Sequence, residues 1–296
     1  MSSVDDWAAP NPVKENRSGL IGKPVDRYEG PLKVSGTAPY AYEVEPPSAP
    51  AYGVLVTSTI ARGRILNVDL SRAQAAPGVL LAWSHANVPK QGEVVGDFSF
   101  FAPRSSPALA SDHVPYFGKP IAFVVADTLE NARAGADMVK VTYESEDATV
   151  LLKDSLDEAV MPPGQRDIEV GDFEAGFAGA PVQLDDVWTT PIQNHCQMEP
   201  HATTAWWDGD KCTVHTSIQM VRLAQMGLAL TLDVPTENVR LLTRYIGGGF
   251  GGKNNVYLEP VAALLPRKAG HRPVKMTMTR VEVLAATVQW VKDAAN

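Results

Sequence analysis

The segment from Gly247 to Lys253 has the clearest capacity for chemistry in this sequence. Five glycines occupy six positions, interrupted only by Phe250. Each glycine loses more conformational freedom on folding than any other residue, so such a run persists where the backbone must pass very close to another group. A strand-like stretch, Val239 to Ile246, precedes the loop, and a helix-like stretch, Val256 to Leu265, follows it. A glycine turn between a strand and a helix aims backbone N–H groups at an anionic part of a ligand.

Three ligand-binding interpretations of this loop compete with a purely structural one. The spacing from Gly247 to Lys253 fits a nucleotide P-loop, although Asn254 stands where Ser or Thr would hold Mg²⁺. Gly247, Gly249 and Gly252 also fit the G-x-G-x-x-G pattern of a dinucleotide fold, which any glycine run satisfies. The third interpretation is a pterin-type cofactor or its metal-oxo group, held by backbone amides. The structural alternative is a tight strand-to-helix crossing without a ligand.

A second group of candidate residues lies upstream of the loop. His195, Glu199 and His201 are separated by even intervals, so one face of a strand would present all three. Their side chains are possible metal ligands, but their spacing fits no standard zinc motif. The sequence therefore predicts no metal bound directly by side chains, and it favours a structural role for these three residues.

Composition limits the classes of function. The chain has 296 residues, of which 45% are apolar and 20% charged, which is typical of a globular protein. Its net charge of −8 argues against nucleic acid as a partner, because binding to phosphates requires a basic surface. No run of 18 apolar residues is present, so no membrane span is expected, and the polar residues 1–14 predict no secretory signal on this chain.

Residues 1–30 are a polar lead-in, and residues 31–159 are predicted to form a first region of strands and helices. Within it, Ile121 to Ala126 is an apolar run typical of a buried strand. Asp127 is predicted to cap a helix from Asn131 to Met138, and Val139 to Tyr143 is predicted to be the next strand. This β-α-β order favours parallel strands joined by a right-handed crossover.

A Pro/Gly cluster marks residues 160–166 as a linker, and residues 167–296 are predicted to form a second region. Val182 to Thr190 is predicted to be its first strand. Ala202 to Trp207 and Lys211 to Ser217 are predicted to form a hairpin, since Asp208-Gly209-Asp210 lies between them. Apolar residues at helical spacing predict a helix from Val221 to Leu232 that ends before Pro235.

Motifs spread from about Pro24 to Arg280 occur in the order found in one known family. Ile246 to Lys253 resembles the G-G-G-F-G-G-K signature of the large, molybdenum-binding subunits of the xanthine dehydrogenase and aldehyde oxidase family. The other similar segments are Asp26–Gly30, Lys33–Tyr40, Ala76–Val79, Gly118–Ala122, Gln193–His195, Met198–Ala202 and Thr216–Gln219. The resemblance implies an α+β protein, with an α/β hammerhead domain over residues 31–159 and the first part of a molybdopterin-binding domain over residues 167–296. The most similar variety is the bacterial aldehyde oxidoreductase subunit.

The resemblance also implies roles for individual residues. Gln219 matches the glutamine that hydrogen-bonds an oxygen ligand of the molybdenum, and the loop from Gly248 through Gly249 and Phe250 to Gly251 matches the backbone that lies against the metal centre. Asn254 stands where some purine-oxidising members have a substrate-binding glutamate. This difference favours aldehydes as the substrate class.

The family further implies what surrounds the chain. The cofactor is a molybdenum–pterin, in the cytosine dinucleotide form, and the partners are an iron–sulfur subunit and an FAD subunit. Family members are far longer and carry their catalytic glutamate near the C-terminus, so no catalytic residue is expected here and the chain by itself is expected to be inactive. A complementary C-terminal chain, or a non-catalytic scaffold role, is the alternative. The expected compartment is the cytoplasm, or the periplasm if a signal-bearing partner exports the complex.

Overall fold

A computed structural model of the protein describes residues 16, 18–92, 107–161, 168, 170–268 and 271–287. The chain divides into two compact units, residues 1–38 and residues 39–296. In the described part of the first unit, a short helix spans Gly30–Val34 and has a proline in its first turn. Glu29, directly before this helix, forms ion pairs with Arg27 and Lys33 at 3.1 and 3.5 Å.

Ten strands and seven α-helices are assigned among the described residues. The strands are β1 (Ala51–Thr57), β2 (Gly63–Asp69), β3 (Val79–Ser84), β4 (His113–Val114), β5 (Pro120–Ala126), β6 (Lys140–Ser145), β7 (Ala202–Asp208), β8 (Lys211–Thr216), β9 (Val239–Leu242) and β10 (Val274–Thr277). The helices are α1 (Gly30–Val34), α2 (Ser71–Gln74), α3 (Leu129–Asp137), α4 (Phe173–Gly179), α5 (Val221–Leu232), α6 (Glu259–Lys268) and α7 (Arg280–Ala286). Two 3₁₀ helices cover Leu152–Glu158 and Thr236–Asn238.

Seven of the strands form one mixed sheet in the order β3-β5-β1-β10-β7-β8-β9. Neighbouring strands are antiparallel except for the parallel pairs β1–β10 and β8–β9. A second, three-stranded antiparallel sheet has the order β4-β2-β6. The larger sheet therefore takes strands from both sides of the predicted linker and joins them where β1 pairs with β10.

The junction between β1 and β10 is tightly packed. Gly53 pairs with Met276, and a Cβ atom at Gly53 would lie only 2.8 Å from the Met276 Cγ atom. Met276 is almost fully buried in the main hydrophobic core, together with Phe123 of β5 and Leu228 of α5. The absence of a side chain at position 53 is thus what lets the methionine lie over the strand.

The predicted parallel β-α-β unit is wrong. β5 is antiparallel to both β1 and β3, and β6 belongs to the other sheet, where it pairs with β2. The apolar run in β5 indicates correctly that the strand is buried, but it carries no information about the direction of its partners. The predicted helix between β5 and β6 is confirmed, but its N-cap is Thr128 rather than Asp127. The Thr128 side chain accepts a hydrogen bond from the Asn131 N–H, and the Asp127 side chain accepts one from the Asn131 side chain at 2.8 Å.

The elements on either side of the functional loop are mostly as predicted. The hairpin of β7 and β8 is confirmed, with Asp208 paired to Lys211 across its turn. Helix α5 has the predicted bounds and ends at Asp233, which adopts a left-handed conformation. The predicted strand from Val182 to Thr190 is wrong, because these residues are assigned to no strand and are exposed.

Most of the predicted linker, residues 162–166, lies outside the described residues, as do residues 1–15 of the lead-in. The domain boundaries therefore stay predictions. Among the described residues, no helix has both the length and the apolar character needed to cross a bilayer.

We predict that Met276→Ala lowers the free energy of unfolding by about 2–5 kcal/mol, because it leaves a cavity in the core. Since strands from both regions meet at this residue, unfolding is expected to stay a single transition. Urea denaturation followed by circular dichroism measures both quantities. Val281→Ala, at an exposed position of α7, is the control and is expected to change stability by no more than about 0.5 kcal/mol. Two separate transitions, or equal effects of both variants, would contradict the shared core.

Candidate functional site

The glycine loop joins β9 to α6 and is longer than the sequence suggests. The preceding strand ends at Leu242 rather than at Ile246, and the following helix begins at Glu259 rather than at Val256. Residues 243–258 therefore form an irregular connection. Positive φ angles occur at Gly248 (91°), Phe250 (54°) and Gly251 (93°). A phenylalanine in this left-handed region is uncommon, and such strain persists only where the surroundings fix the backbone.

Gln219 is the first group that fixes the loop. Its Oε1 atom accepts hydrogen bonds from the backbone N–H groups of Gly251 (3.0 Å) and Lys253 (3.2 Å), and its backbone N–H donates to the Lys253 carbonyl (2.8 Å). Gly249 lies against the same side chain, since a Cβ atom there would approach Oε1 to 2.5 Å. The structure thus brings together three predicted site residues, Gln219, Gly249 and Gly251, from two distant parts of the sequence.

These bonds also determine which end of the Gln219 amide is available. A backbone N–H can only donate, so the side-chain atom that receives both bonds must be the oxygen. The Nε2 amino group donates to no described residue, and Gln219 is exposed. The loop therefore holds the glutamine so that it presents a hydrogen-bond donor.

The loop itself carries further unused donors. The backbone N–H groups of Gly248, Gly249 and Phe250 donate to no described residue. Consecutive N–H groups in a turn with positive φ angles form a site suited to anionic or oxygen atoms. Together with the Gln219 amino group, they fit a ligand with several oxygen atoms and do not fit a purely cationic one.

A buried ion pair is the second group that fixes the loop. The Lys253 ammonium lies 2.9 Å from the Glu199 Oε2 atom, and Lys253 is fully buried. The same oxygen accepts from the Gly247 N–H at 2.7 Å, and the Glu199 N–H donates to the Gly247 carbonyl at 3.1 Å. Burial lowers the pKa of Lys253, whereas the Glu199 carboxylate opposes that shift. Glu199 thereby binds both ends of the glycine run.

This ion pair argues against the P-loop interpretation. The lysine of a P-loop must reach the phosphates of a nucleotide. Lys253 instead points into the protein and is held by Glu199. Asn254 is partly buried beside it and provides no hydroxyl group for Mg²⁺.

His201 is a third group that fixes the loop, through a hydrogen bond to Gly252. It is buried, and its Nε2 atom lies 2.8 Å from the Gly252 carbonyl, so Nε2 must carry the proton. Burial is the main cause that lowers its pKa to about 4, and the hydrogen bond to Gly252 partly opposes this shift. Tyr257 meets the imidazole edge-on with ring centres 5.1 Å apart, and burial raises the pKa of this phenol to about 12.

His195 completes the support, since a Cβ atom at Gly252 would lie 2.9 Å from it. His195, Glu199 and His201 therefore all contact the loop. Over the residues that the structure describes, no group of three or more His, Cys, Asp or Glu side chains is placed to hold a metal ion. The pairing of Glu199 with Lys253 was not predicted from the sequence, where the available signal is a lysine that directly follows the glycine run.

Phe250 lies at the tip of the loop with 72% of its surface exposed. Its ring approaches the position that a Cβ atom at Gly248 would take, at 3.2 Å. The phenyl group and the unused N–H groups thus belong to the same turn. Binding roles stay predictions for all six candidate residues: Gln219, Gly248, Gly249, Phe250, Gly251 and Asn254.

Comparison with family descriptions matches both parts of the chain. Residues 35–147 match the description "Aldehyde oxidase and xanthine dehydrogenase, a/b hammerhead domain". Residues 156–291 match "Molybdopterin cofactor-binding domain". The predicted fold class, a hammerhead domain followed by part of a molybdopterin-binding domain, is confirmed.

Individual relatives agree with these matches. The chain is 42% identical over 282 residues to the aldehyde oxidoreductase molybdenum-binding subunit PaoC of Escherichia coli K12, covering 94% of this chain and 37% of that protein. It is 28% identical over 274 residues to the xanthine dehydrogenase molybdenum-binding subunit of Escherichia coli O157:H7, covering 88% of this chain and 36% of that protein. The chain thus spans little more than a third of the length of these relatives.

Solved structures show the same similarity in three dimensions. The quinoline 2-oxidoreductase of Pseudomonas putida 86 matches with a TM-score of 0.73 and 25% identity, over 87% of this chain and 34% of that one. The aldehyde oxidoreductase of Desulfovibrio gigas matches with a TM-score of 0.72 and 26% identity, over 86% of this chain and 30% of that one.

We predict that Lys253→Met lowers the free energy of unfolding by about 3–5 kcal/mol, because it leaves the Glu199 carboxylate without its cation. The double variant Lys253→Met/Glu199→Gln is expected to recover part of this loss, since the unpaired charge is removed. Chemical denaturation of both single variants and the double variant gives the coupling energy. Additive losses would show that the two side chains do not act as a pair.

A second prediction concerns pH. The pKa of His201 is lowered to about 4 in the folded state from 6.5, so between these values the unfolded chain binds more protons. The stability from this group is therefore complete above pH 6.5 and is lost as the pH falls toward 4, by about 3 kcal/mol. The free energy of unfolding, measured from pH 7 to pH 4, should show this loss in the wild type and not in His201→Gln. The exposed His271→Asn is the control and should retain the wild-type slope; an unchanged slope in His201→Gln would contradict the assignment.

Proposed function

We propose a function on one premise: the chain belongs to the xanthine dehydrogenase and aldehyde oxidase family, whose molybdenum-binding subunits it matches. That function is to contribute part of the site that oxidises aldehydes to carboxylic acids. The added oxygen comes from water, and two electrons pass to iron–sulfur and flavin subunits. The observation that carries the proposal is the orientation of Gln219 by the glycine loop. The amide oxygen is occupied by Gly251 and Lys253, so the amino group is left to bind an oxygen atom of a cofactor.

The residues of the loop fit a molybdenum–pterin cofactor. There is no room for a side chain at Gly249 beside Gln219. The backbone of Gly249 and the amide of Gln219 therefore lie close together. Unused N–H groups of Gly248, Gly249 and Phe250 would stabilise negative charge there, as the donors of an oxyanion hole do. The cofactor, in the cytosine dinucleotide form, supplies the two-electron oxidation when it is bound.

Each part of the loop has a task in this proposal. Gln219 and the backbone donors orient the cofactor, while the ion pair of Glu199 with Lys253 and the His201 bond to Gly252 hold the donors in place. Phe250 presents an apolar surface that excludes water from the reacting centre. We assign Asn254 to substrate contact, where its neutral side chain suits an aldehyde better than a charged or purine-like group.

The proposal assigns the remaining parts of the reaction to other polypeptide. In this proposal, the carboxylate that activates water is the family's C-terminal glutamate, which a complementary chain or segment supplies. Electrons leave through an iron–sulfur subunit and an FAD subunit. The compartment is the cytoplasm, or the periplasm where a signal-bearing partner exports the complex.

A non-catalytic scaffold is the second candidate function. It is favoured by the many exposed apolar residues between Ile168 and Ile192, which suit a binding surface. In that case the chain would bind the complementary polypeptide or the iron–sulfur subunit without a cofactor.

The test uses the protein purified together with its partner subunits. We expect stoichiometric molybdenum, releasable pterin and aldehyde turnover, and we expect Phe250→Asp to abolish turnover. Position 250 is exposed and has a positive φ, which Asp tolerates better than Phe, so the fold should be unaffected. Metal analysis, pterin release and thermal unfolding are measured on the same samples.

Phe117→Asp, another exposed phenylalanine, is the matched control and should keep wild-type turnover. Wild-type turnover in Phe250→Asp would overturn the role of the loop. A folded, partner-bound protein without molybdenum or pterin would support the scaffold instead.

A further inference from the structure

One segment of the chain exposes several apolar side chains that do not pack against the hydrophobic core. Residues 182–192, here named the extended segment, connect α4 to the loop-supporting residues before β7. Val182, Leu184, Trp188 and Ile192 occupy four of its six even-numbered positions, the others being Asp186 and Thr190, and are each between 78% and 88% exposed. Val187, at an odd-numbered position, is 94% exposed. A single exposed apolar residue is ordinary, but four at the spacing of one strand face mark an interaction surface.

The backbone of the extended segment has almost no partners. Among the described residues, its main chain forms one hydrogen bond, which the Gln193 Nε2 group donates to the Pro191 carbonyl at 3.4 Å, and it forms none with another strand. Its composition, with valine, leucine, tryptophan and two threonines, nevertheless favours a strand. The composition therefore favours a strand, whereas the structure assigns none there and places no described strand beside the segment.

The helix before the segment shows the same lack of cover. Helix α4 buries none of its residues, and its Phe173 and Phe177 rings contact each other at 5.7 Å. Ile168 and Val170, just upstream, are both more than 90% exposed. The exposed apolar surface therefore includes α4 as well as the extended segment.

We propose that the extended segment pairs with a β-strand from the part of the molybdenum-binding subunit that lies outside the region matched by this chain. This inference rests on the proposed function, since it assumes that such a complementary polypeptide completes the subunit. The relatives extend over nearly three times the matched length, so they contain ample polypeptide to cover the surface. An added strand would satisfy the backbone groups and bury the alternating side chains at once.

The features of the segment disfavour a second copy of this chain as the occupant. Asp185 and Asp186 lie in the middle of the segment, and the chain carries a net charge of −8. Pairing with an identical strand would bring four carboxylates close together, which is unfavourable. A strand of different sequence can avoid this repulsion or offset it with basic side chains.

The experiment compares the isolated 296-residue chain with a chimera in which the same chain is continued by the unmatched remainder of the PaoC relative. Amide hydrogen exchange of residues 182–192 is measured in both by mass spectrometry. We expect fast exchange in the isolated chain and exchange at least ten-fold slower in the chimera. Slow exchange in the isolated chain with a dimeric mass in solution would overturn the proposal, because a second copy would then be the occupant.

Variants distinguish strand pairing of the extended segment from non-specific burial of its side chains. Thr189→Pro removes a backbone donor and Trp188→Asp removes an apolar contact, so each should restore fast exchange in the chimera. Trp188→Phe and Leu66→Asp, the latter at an exposed position of β2, should leave protection unchanged. Because the substituted residues are exposed, unfolding of the isolated chain should not change, which shows that the variants fold. Protection that survives Thr189→Pro and Trp188→Asp, or a soluble chimera with a fast-exchanging segment, would overturn the proposal.

Cofactor content distinguishes this inference from the function on which it rests. Molybdenum and pterin are measured in the same chimera. Protection of residues 182–192 without cofactor supports the docked strand and contradicts the proposed function. Cofactor binding without protection supports the function and contradicts the docked strand.

Discussion

The buried ion pair between Glu199 and Lys253 is the interaction on which the site depends. A glycine run has too much conformational freedom to hold a defined shape alone. Here one carboxylate binds the backbone at Gly247, where the run begins, and the ammonium of Lys253, where it ends. The Lys253 side chain is fully buried and the Glu199 side chain is only 12% exposed, so loss of either partner leaves the other charge largely without compensation.

With the two ends fixed, the middle of the loop becomes a surface of donors. Gln219 receives two backbone N–H groups through its oxygen, so its amino group is directed outward. Gly249 makes this geometry possible, because any side chain there would displace the glutamine. The polar atoms that face a ligand are therefore set by hydrogen bonds inside the protein, before any ligand is present. Such preorganisation is what gives fixed dipoles their effect on developing charge.

The seven-stranded sheet supports this site by joining distant parts of the chain. β10 lies between β1 and β7, so it joins β7, the strand that follows Glu199 and His201, to a strand from the first half of the chain. The site is thus anchored to a core that belongs to both regions. The extended segment differs from the site in this respect, since its apolar side chains are exposed and do not pack into a core of the described residues.

The sequence determined a good part of this result. The glycine run, the motifs around it, the hairpin of β7 and β8 and helix α5 follow from local rules: turn chemistry, apolar spacing and residue types at fixed positions. Gln219 and the loop were identified as partners only through the resemblance to a family, because residues about thirty positions apart carry no local signal of contact. The strand predicted from Val182 to Thr190 shows the limit of such rules, since composition favours a strand but a strand also needs a neighbour.

Only the tertiary structure decided three other features: the direction of β5, the pairing of Glu199 with Lys253 and the orientation of the Gln219 amide. Each depends on which groups meet across long sequence separations, and the free energy of that meeting comes from burial and hydrogen bonding that exist only once the chain has folded.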